Sequence, residues 1–488
     1  MNIQMYTQMK KICSKTKRGF DKMSTEKTKA EKLKEKLFAK KDKGIKSLSA
    51  EDIVKADEFC GEYAEFLNLA KTEREAVEVS LQTAKENGFE EYDRNKKYNA
   101  GDRVYCINRN KNILLAVFGK QPLEKGVRFS IAHIDSPRLD LKPNPLYEAS
   151  ELAMLKTHYY GGIKKYQWTA IPLALHGAVA FRDGSSVTVR IGDEENEPCF
   201  CVTDLLPHLA KEQVSKTLSK AIEGEDLNVL IGSRPFDNTK EAESVKLNIM
   251  NILFEKYGIT ESDFLSAELA MVPAFKARDI GLDRSMIGAY GHDDKVCAYP
   301  ALMAAINAKS PEYTAITILT DKEETGSDGN TGMKSAFMEH FINEIAEAQG
   351  VKGYTVLDNS KCLSADVNAA FDPTYAGAYE SNNSSYINKG VVITKYTGSG
   401  GKYGTSDASA EYMAEIRNML DKNGILWQSG ELGKVDGGGG GTIAKYVANL
   451  NVDVVDLGVP VLSMHAPLEV VSKVDVYMAY KAFCAFFE

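Results

Sequence analysis

The 488-residue chain is expected to fold as an α/β layer sandwich with a β-rich segment inserted into it. Three patterns lead there. Beyond residue 286 helical and strand-like periodicities alternate along the chain, as they do in layered α/β proteins. Several apolar runs end in acidic or histidine-bearing clusters, and ligands collect at the carboxyl edge of such sheets. Between the first two clusters, residues 142–274 are strand-rich.

Four regions follow from this reading: a charged arm (1–50), a first layered part (51–141), the insertion (142–274) and a second layered part (275–488). Residues 24–50 are rich in Lys and Glu and suit an exposed helix or a loose arm. Met23-Ser-Thr is a natural-looking start, so residues 1–22 read as an extension or a misassigned start. Ser49-Ala-Glu-Asp52 resembles a capping box, and Ile53, Ala56, Phe59 and Tyr63 recur at helical spacing behind it. Glu73–Asn87 repeats that pattern. Asn112–Phe118 and Val127–His133 read as strands, and Ala178–Ile191 as a hairpin turning at Arg182-Asp-Gly-Ser185. Leu205–Glu225 and Ser244–Tyr257 read as helical, Phe264–Val272 as a strand.

In the second layered part, Lys295–Asn307, Ser335–Gln349 and Ala408–Asn423 have helical spacing. Ala315–Leu319 is a strand, and Val351–Ala365 leads into another that ends at Asp366. A glycine run (437–441) precedes a helix starting at Thr442. Strands Val452–Leu457 and Val461–His465 and a helix Val471–Phe487 close the chain.

Composition narrows the function. The hydrophobic share of 43% with 26% charged residues is that of a globular protein. A formal net charge of −8 argues against a nucleic-acid partner gripped through its phosphates. No apolar run reaches spanning length, so no membrane helix is expected, and Met1–Phe20 lacks the apolar core of a secretory signal. The eight cysteines are scattered, which suits reduced thiols in the cytoplasm.

The clusters carry the chemistry. Glu323-Glu324 follows the apolar run 315–319. Adjacent side chains diverge, so one carboxylate can hold a metal while its neighbour takes a proton from an attacking water; a solvated acidic turn is the plain alternative. In His133-Ile-Asp135, alternation puts both side chains on one face, where Asp135 can orient the imidazole; a turn aspartate beside a strand-end histidine is its alternative. Asp293 or Asp294 precedes a helix and suits a cap or a ligand. Asp366 sits among small and apolar neighbours, and His465 ends a strand.

Taken together, Ala132-His-Ile-Asp-Ser-Pro-Arg138, Tyr159-Tyr-Gly-Gly162, Asp293-Asp-Lys295, Asp321-Lys-Glu-Glu-Thr-Gly-Ser327, Ser364-Ala-Asp366 and Leu462-Ser-Met-His465 occur in the order found in one family. The chain resembles the M18 metallo-aminopeptidases, the aspartyl aminopeptidase and aminopeptidase I group. That resemblance implies an α/β/α zinc-peptidase domain with an inserted β-rich dimerisation domain. It also implies two Zn2+ per subunit, and nitrogen and oxygen ligands of this kind suit Co2+ or Mn2+ as alternative metals as well. Asp293 would bridge the ions, His133 with Asp366 would complete one site, and Glu324 with His465 the other. Glu323 would be the general base, Asp135 the partner of His133, and the Asp293-Asp294 peptide cis. His176 matches a family histidine that reaches into a neighbouring subunit's site to assist the oxyanion; a buried strand-end histidine is the alternative. Dimers assembling into a tetrahedral dodecamer, acting on peptides with a free N-terminus, complete the expectation.

Two segments depart from the family pattern: Asn368-Ala-Ala-Phe-Asp-Pro373 and the loop Lys395–Tyr403. They leave acidic and neutral N-terminal residues both open as substrates, with Lys395 or Lys402 as contacts for an acidic one. A dizinc deacylase or carboxypeptidase of the same clan, and a non-catalytic metal-binding scaffold, are the competing functions.

Overall fold

Nine strands form the central sheet, in the order Glu90–Glu91, Arg103–Asn108, Asn112–Val117, Ala315–Thr320, Arg128–His133, Lys361–Ser364, Asp453–Gly458, Val391–Thr394 and Trp427–Ser429. The structure is a computed structural model and describes residues 27–38, 44–237 and 242–488. The expectation for residues 1–22 lies outside the described residues. Lys29–Leu37 is a helix with a capping box between Thr28 and Glu31.

Four central strands run parallel: Ala315–Thr320, Arg128–His133, Lys361–Ser364 and Asp453–Gly458. Thr320 pairs with His133, and Ser364 with both Ile131 and Asp456. The carboxyl ends of these strands therefore lie along one edge, where His133, Glu324 and Asp366 end or follow three of them. Asn112–Val117 and Ala315–Thr320 are buried at all positions, which explains their continuous rather than alternating hydrophobicity.

Two apolar layers cover the faces. One holds Ala50–Leu69, His292–Asn307 and Lys473–Phe487; the other holds Phe337–Ala348, Gly353–Asp358 and Ala444–Ala448. Ser49 and Asp52 form a true capping box on the first helix. A five-stranded sheet at the site edge includes Met286–Ala289, Glu469–Ser472, Pro460–Leu462 and Asn368–Ala369. It delivers the chain into Asp293 and out of His465.

A seven-stranded antiparallel sheet, drawn from Arg138–Gly232 and Ala267–Pro273, has its own core against the helix Ser244–Tyr257. Its hairpin Leu173–Ala180/Ser186–Ile191 turns where expected.

Some boundaries differ from expectation. Leu205–Glu225 is not one helix but two short pieces, Lys211–Ser215 and Leu218–Ala221, followed by a turn at Gly224–Asp226. Pro207 cannot continue a helix, and Leu205, Leu206, Leu209, Val214 and Leu218 stay exposed, with no core to fix an amphipathic face. Val351–Ala365 begins with the helix Gly353–Asp358. The closing strand stops at Leu462, and His465 adopts a left-handed conformation with φ 64°. Val471 belongs to the strand Glu469–Ser472, so the last helix starts at Lys473.

Candidate metal centre and active site

Five side chains from five separate segments of the chain meet at the sheet edge. His133 Nε2 lies 3.2 Å from Asp293 Oδ1, and His465 Nε2 lies 3.2 Å from Asp293 Oδ2. The Asp293 carboxylate thus stands between two imidazoles. Glu324 Oε2 is 3.5 Å from His465 Nε2. The ligand atoms fall into two triplets, His133–Asp293–Asp366 and Asp293–Glu324–His465, each within 4.8 Å. Glu323 sits alongside, with Oε2 3.9 Å from His133 Nε2.

The supporting bonds account for that placement. Asp135 Oδ1 is 3.3 Å from His133 Nδ1, and the Asp135 carbonyl is 3.1 Å from it. The same carboxylate accepts bonds from the Tyr160 hydroxyl (2.7 Å) and from the backbone N–H groups of Glu323 and Glu324 (3.2 Å each). One buried acid therefore fixes both the first histidine and the turn carrying the paired glutamates. His465 Nδ1 donates to the Gly162 carbonyl at 2.7 Å, which gives the Tyr159–Gly162 motif a structural task. Both imidazoles direct Nε2 at Asp293, a tautomer suited to metal ligation.

Sequence reasoning missed Glu469. Its carboxylate is buried and accepts the N–H of Asp293 at 3.0 Å and the N–H of His465 at 2.7 Å. The only sequence signal was an acid four residues after His465, on the strand that leaves the site. Ser136 was likewise unassigned. It donates to the Asp293 carbonyl at 2.8 Å and accepts from buried Lys295 at 2.7 Å. Burial draws the Lys295 ammonium down to about 8. The Asp293-Asp294 peptide is cis.

The electrostatics call for cations. Burial pushes the Glu324 and Asp366 carboxyls well above the usual range, with neighbouring carboxylates adding to the rise. Burial also raises Glu323, to about 7. At Asp293 burial again opposes ionisation, but hydrogen bonds and charge from the two histidines outweigh it and hold the pKa below normal. Glu324 Oε1 is buried with no hydrogen-bond partner. An orphaned acceptor within a set of three carboxylates and two imidazoles fits zinc, which accepts these oxygen and nitrogen donors. A cleft of about 460 Å³ opens onto the cluster, lined also by Thr394, Thr397, Leu432, Gly439–Gly441 and Lys445.

His176 is not in this cluster within the chain. It is buried in the second sheet, Nδ1 2.8 Å from Glu75 and Nε2 2.8 Å from Asp193. Lys395 and Lys402 both pair with Asp407, at 2.6 and 2.8 Å.

An α/β sheet that gathers acids and imidazoles around a shared carboxylate defines a metallohydrolase. The profile of the "Aminopeptidase I zinc metalloprotease (M18)" family matches residues 66–487, and the chain belongs to that family of zinc aminopeptidases. A probable M18 family aminopeptidase 1 from Clostridium acetobutylicum is 51% identical over 432 residues, covering 87% of this chain and 93% of its own. The crystal structure of an M18 aminopeptidase from Thermotoga maritima superposes with a TM-score of 0.87 at 43% identity, covering 92% of this chain and all of that one. The S. cerevisiae mApe1 dodecamer structure shares the fold at 22% identity, with a TM-score of 0.71 and coverage of 89% of this chain and 97% of that one.

Proposed function

We propose that the chain removes the N-terminal residue from peptides with a free α-amine, using two zinc ions held by His133, Asp293, Glu324, Asp366 and His465. The observation that carries this reading is the Asp293 carboxylate, 3.2 Å from each of two imidazole nitrogens and shared by both ligand triplets. When bound, the ions would polarise the scissile carbonyl and lower the pKa of water towards about 7.

The chain's own residues supply the proton path. Glu323 stands beside the cluster without belonging to either triplet. Its carboxylate takes the proton of the attacking water and returns it to the leaving amine. Asp135 keeps His133 in the ligating tautomer and holds the Glu323 amide. The cleft would receive the N-terminal residue, with the buried carboxylates recognising its ammonium.

The stretch 142–274 is proposed as an oligomerisation domain joined to the layered parts 51–141 and 275–488. Homo-oligomers, dodecameric by family resemblance, follow from that assignment; the scattered cysteines support a cytoplasmic setting. A trans role for His176 requires it to exchange Glu75 and Asp193 for a neighbour's substrate. Hydrolysis of peptides by the zinc-loaded protein tests the whole reading. Free amino acid should be released from unblocked peptides and not from N-acetylated ones. Turnover of acetylated substrates, or release from the C-terminus, sinks it in favour of the deacylase or carboxypeptidase.

A further inference from the structure

We propose that Tyr160 and the Gly161-Gly162 turn after it are positioning residues for the metal pair, through which the inserted sheet holds both ligand triplets. This rests on the dizinc peptidase reading above. Strand Arg138–Ala149 enters the inserted sheet just after Asp135, and Leu152–Tyr160 returns antiparallel to it, with Tyr160 paired to Arg138. That register brings the end of an inserted strand back to the ligand cluster.

The two sides of the cluster are supported separately. On one, the Tyr160 hydroxyl donates to Asp135 Oδ2 at 2.7 Å, and Asp135 Oδ1 stands 3.3 Å from His133 Nδ1. Burial and the Asp135 charge push this phenol well up, so it stays a donor. Its ring is held in turn: the Arg138 guanidinium lies 4.2 Å from the ring centroid and is tied to Glu73 at 2.8 Å and Asp140 at 2.7 Å. On the other side, the Gly162 carbonyl accepts from His465 Nδ1 at 2.7 Å. Gly161 has φ 74°, and a Cβ there would stand 3.2 Å from Glu324 Oε2. Without the phenol, Asp135 would keep the backbone N–H groups of Glu323 and Glu324, so the loss falls on the orientation of His133. Tyr160 therefore acts on the His133–Asp293–Asp366 triplet, and the glycine turn on Asp293–Glu324–His465. Partners of this kind orient a ligand and tune its basicity, so removing one support should loosen one ion more than the other.

Tyr160→Phe deletes only the hydroxyl and keeps the ring beside Arg138, whereas Gly161→Ala sets a methyl group against Glu324. Chelator competition on the zinc-loaded protein reads the affinities, and anomalous diffraction at the zinc edge shows which position empties first. In Tyr160→Phe the ion beside His133 should be lost at about 10–100-fold higher free zinc than in wild type, while the ion beside His465 stays. Gly161→Ala should empty the position beside His465 first. For an unblocked peptide, Tyr160→Phe should lower kcat by about 10-fold and leave KM nearly unchanged. Val189→Ala, a cavity in the core of the inserted sheet, is the structural control: it should lower the urea midpoint and leave zinc retention as in wild type. If Tyr160→Phe, folded by circular dichroism, keeps both ions as wild type does, the proposal falls whatever Gly161→Ala shows. It falls equally if Val189→Ala loses zinc as readily as Tyr160→Phe, while the peptidase stands in both cases. If wild type holds fewer than two ions at the cluster, the dizinc reading itself fails, and the positioning role with it.

Discussion

At Glu323 the two functions of a buried acid can be told apart. Its carboxyl stands near the ligand cluster yet outside both triplets, so Glu323→Gln should keep the zinc content and lose about 10²–10⁴-fold in turnover. Atomic absorption and initial rates check both halves; normal turnover at normal zinc content refutes the base. The same group sets an acid limb. Burial raises it from 4.5 to about 7, and bound cations would draw it down again. It works only when ionised, so the rate should fall as pH drops through a value inside that window. Glu469 is a different case, because its two oxygens serve two backbone amides on separate loops. Glutamine offers only one carbonyl oxygen for the two. Glu469→Gln should therefore weaken zinc affinity by about 10–100-fold in chelator competition, and unchanged affinity would reduce Glu469 to a bystander.

At the scale of elements, His176 ties the strand Leu173–Ala180 to the helix Glu73–Glu86. Glu75 on that helix also pairs with Arg190, and Asp193 also pairs with Lys71. Burial alone would lower the His176 pKa, but hydrogen bonds and charge from Asp193 and Glu75 raise it above 6.5. A raised histidine pKa stabilises the fold fully below about 6.5, and the contribution disappears as pH climbs through the folded value. His176→Gln should thus cost about 1–3 kcal/mol in urea unfolding at pH 6 and less at pH 9; a gap that widens with pH would contradict the clamp. This contact was not legible in the sequence, where Glu75, His176 and Asp193 lie far apart. What was legible had local causes. Unbroken apolar runs marked Asn112–Val117 and Ala315–Thr320, and strand-end acids marked the site, because parallel strands deliver their carboxyl ends to one edge. Leu205–Glu225 misled because helical spacing was read as a packed face, whereas Pro207 and the missing partner leave only short turns.

Those unpacked side chains matter at the scale of the molecule. Leu209 and Val214 are 68% and 76% exposed, and Leu205, Leu206 and Leu218 are also exposed within fourteen residues of sequence. The helix Ser244–Tyr257 of the same sheet region adds exposed Leu247, Ile252 and Phe254. Exposed apolar side chains grouped like this mark an interaction surface when they form one patch, and a subunit interface would bury them at roughly 25 cal/mol per Å². The proposed assembly therefore has a direct physical test in light scattering on eluting protein. The wild-type chain should run at a multiple of 53.7 kDa. Leu209→Glu combined with Val214→Glu should shift mass towards smaller species, since each introduced charge would be desolvated at the contact. Circular dichroism should stay unchanged, because neither side chain belongs to the core of the second sheet. A wild-type monomer, or a double variant that assembles normally, would move the association surface elsewhere or remove it.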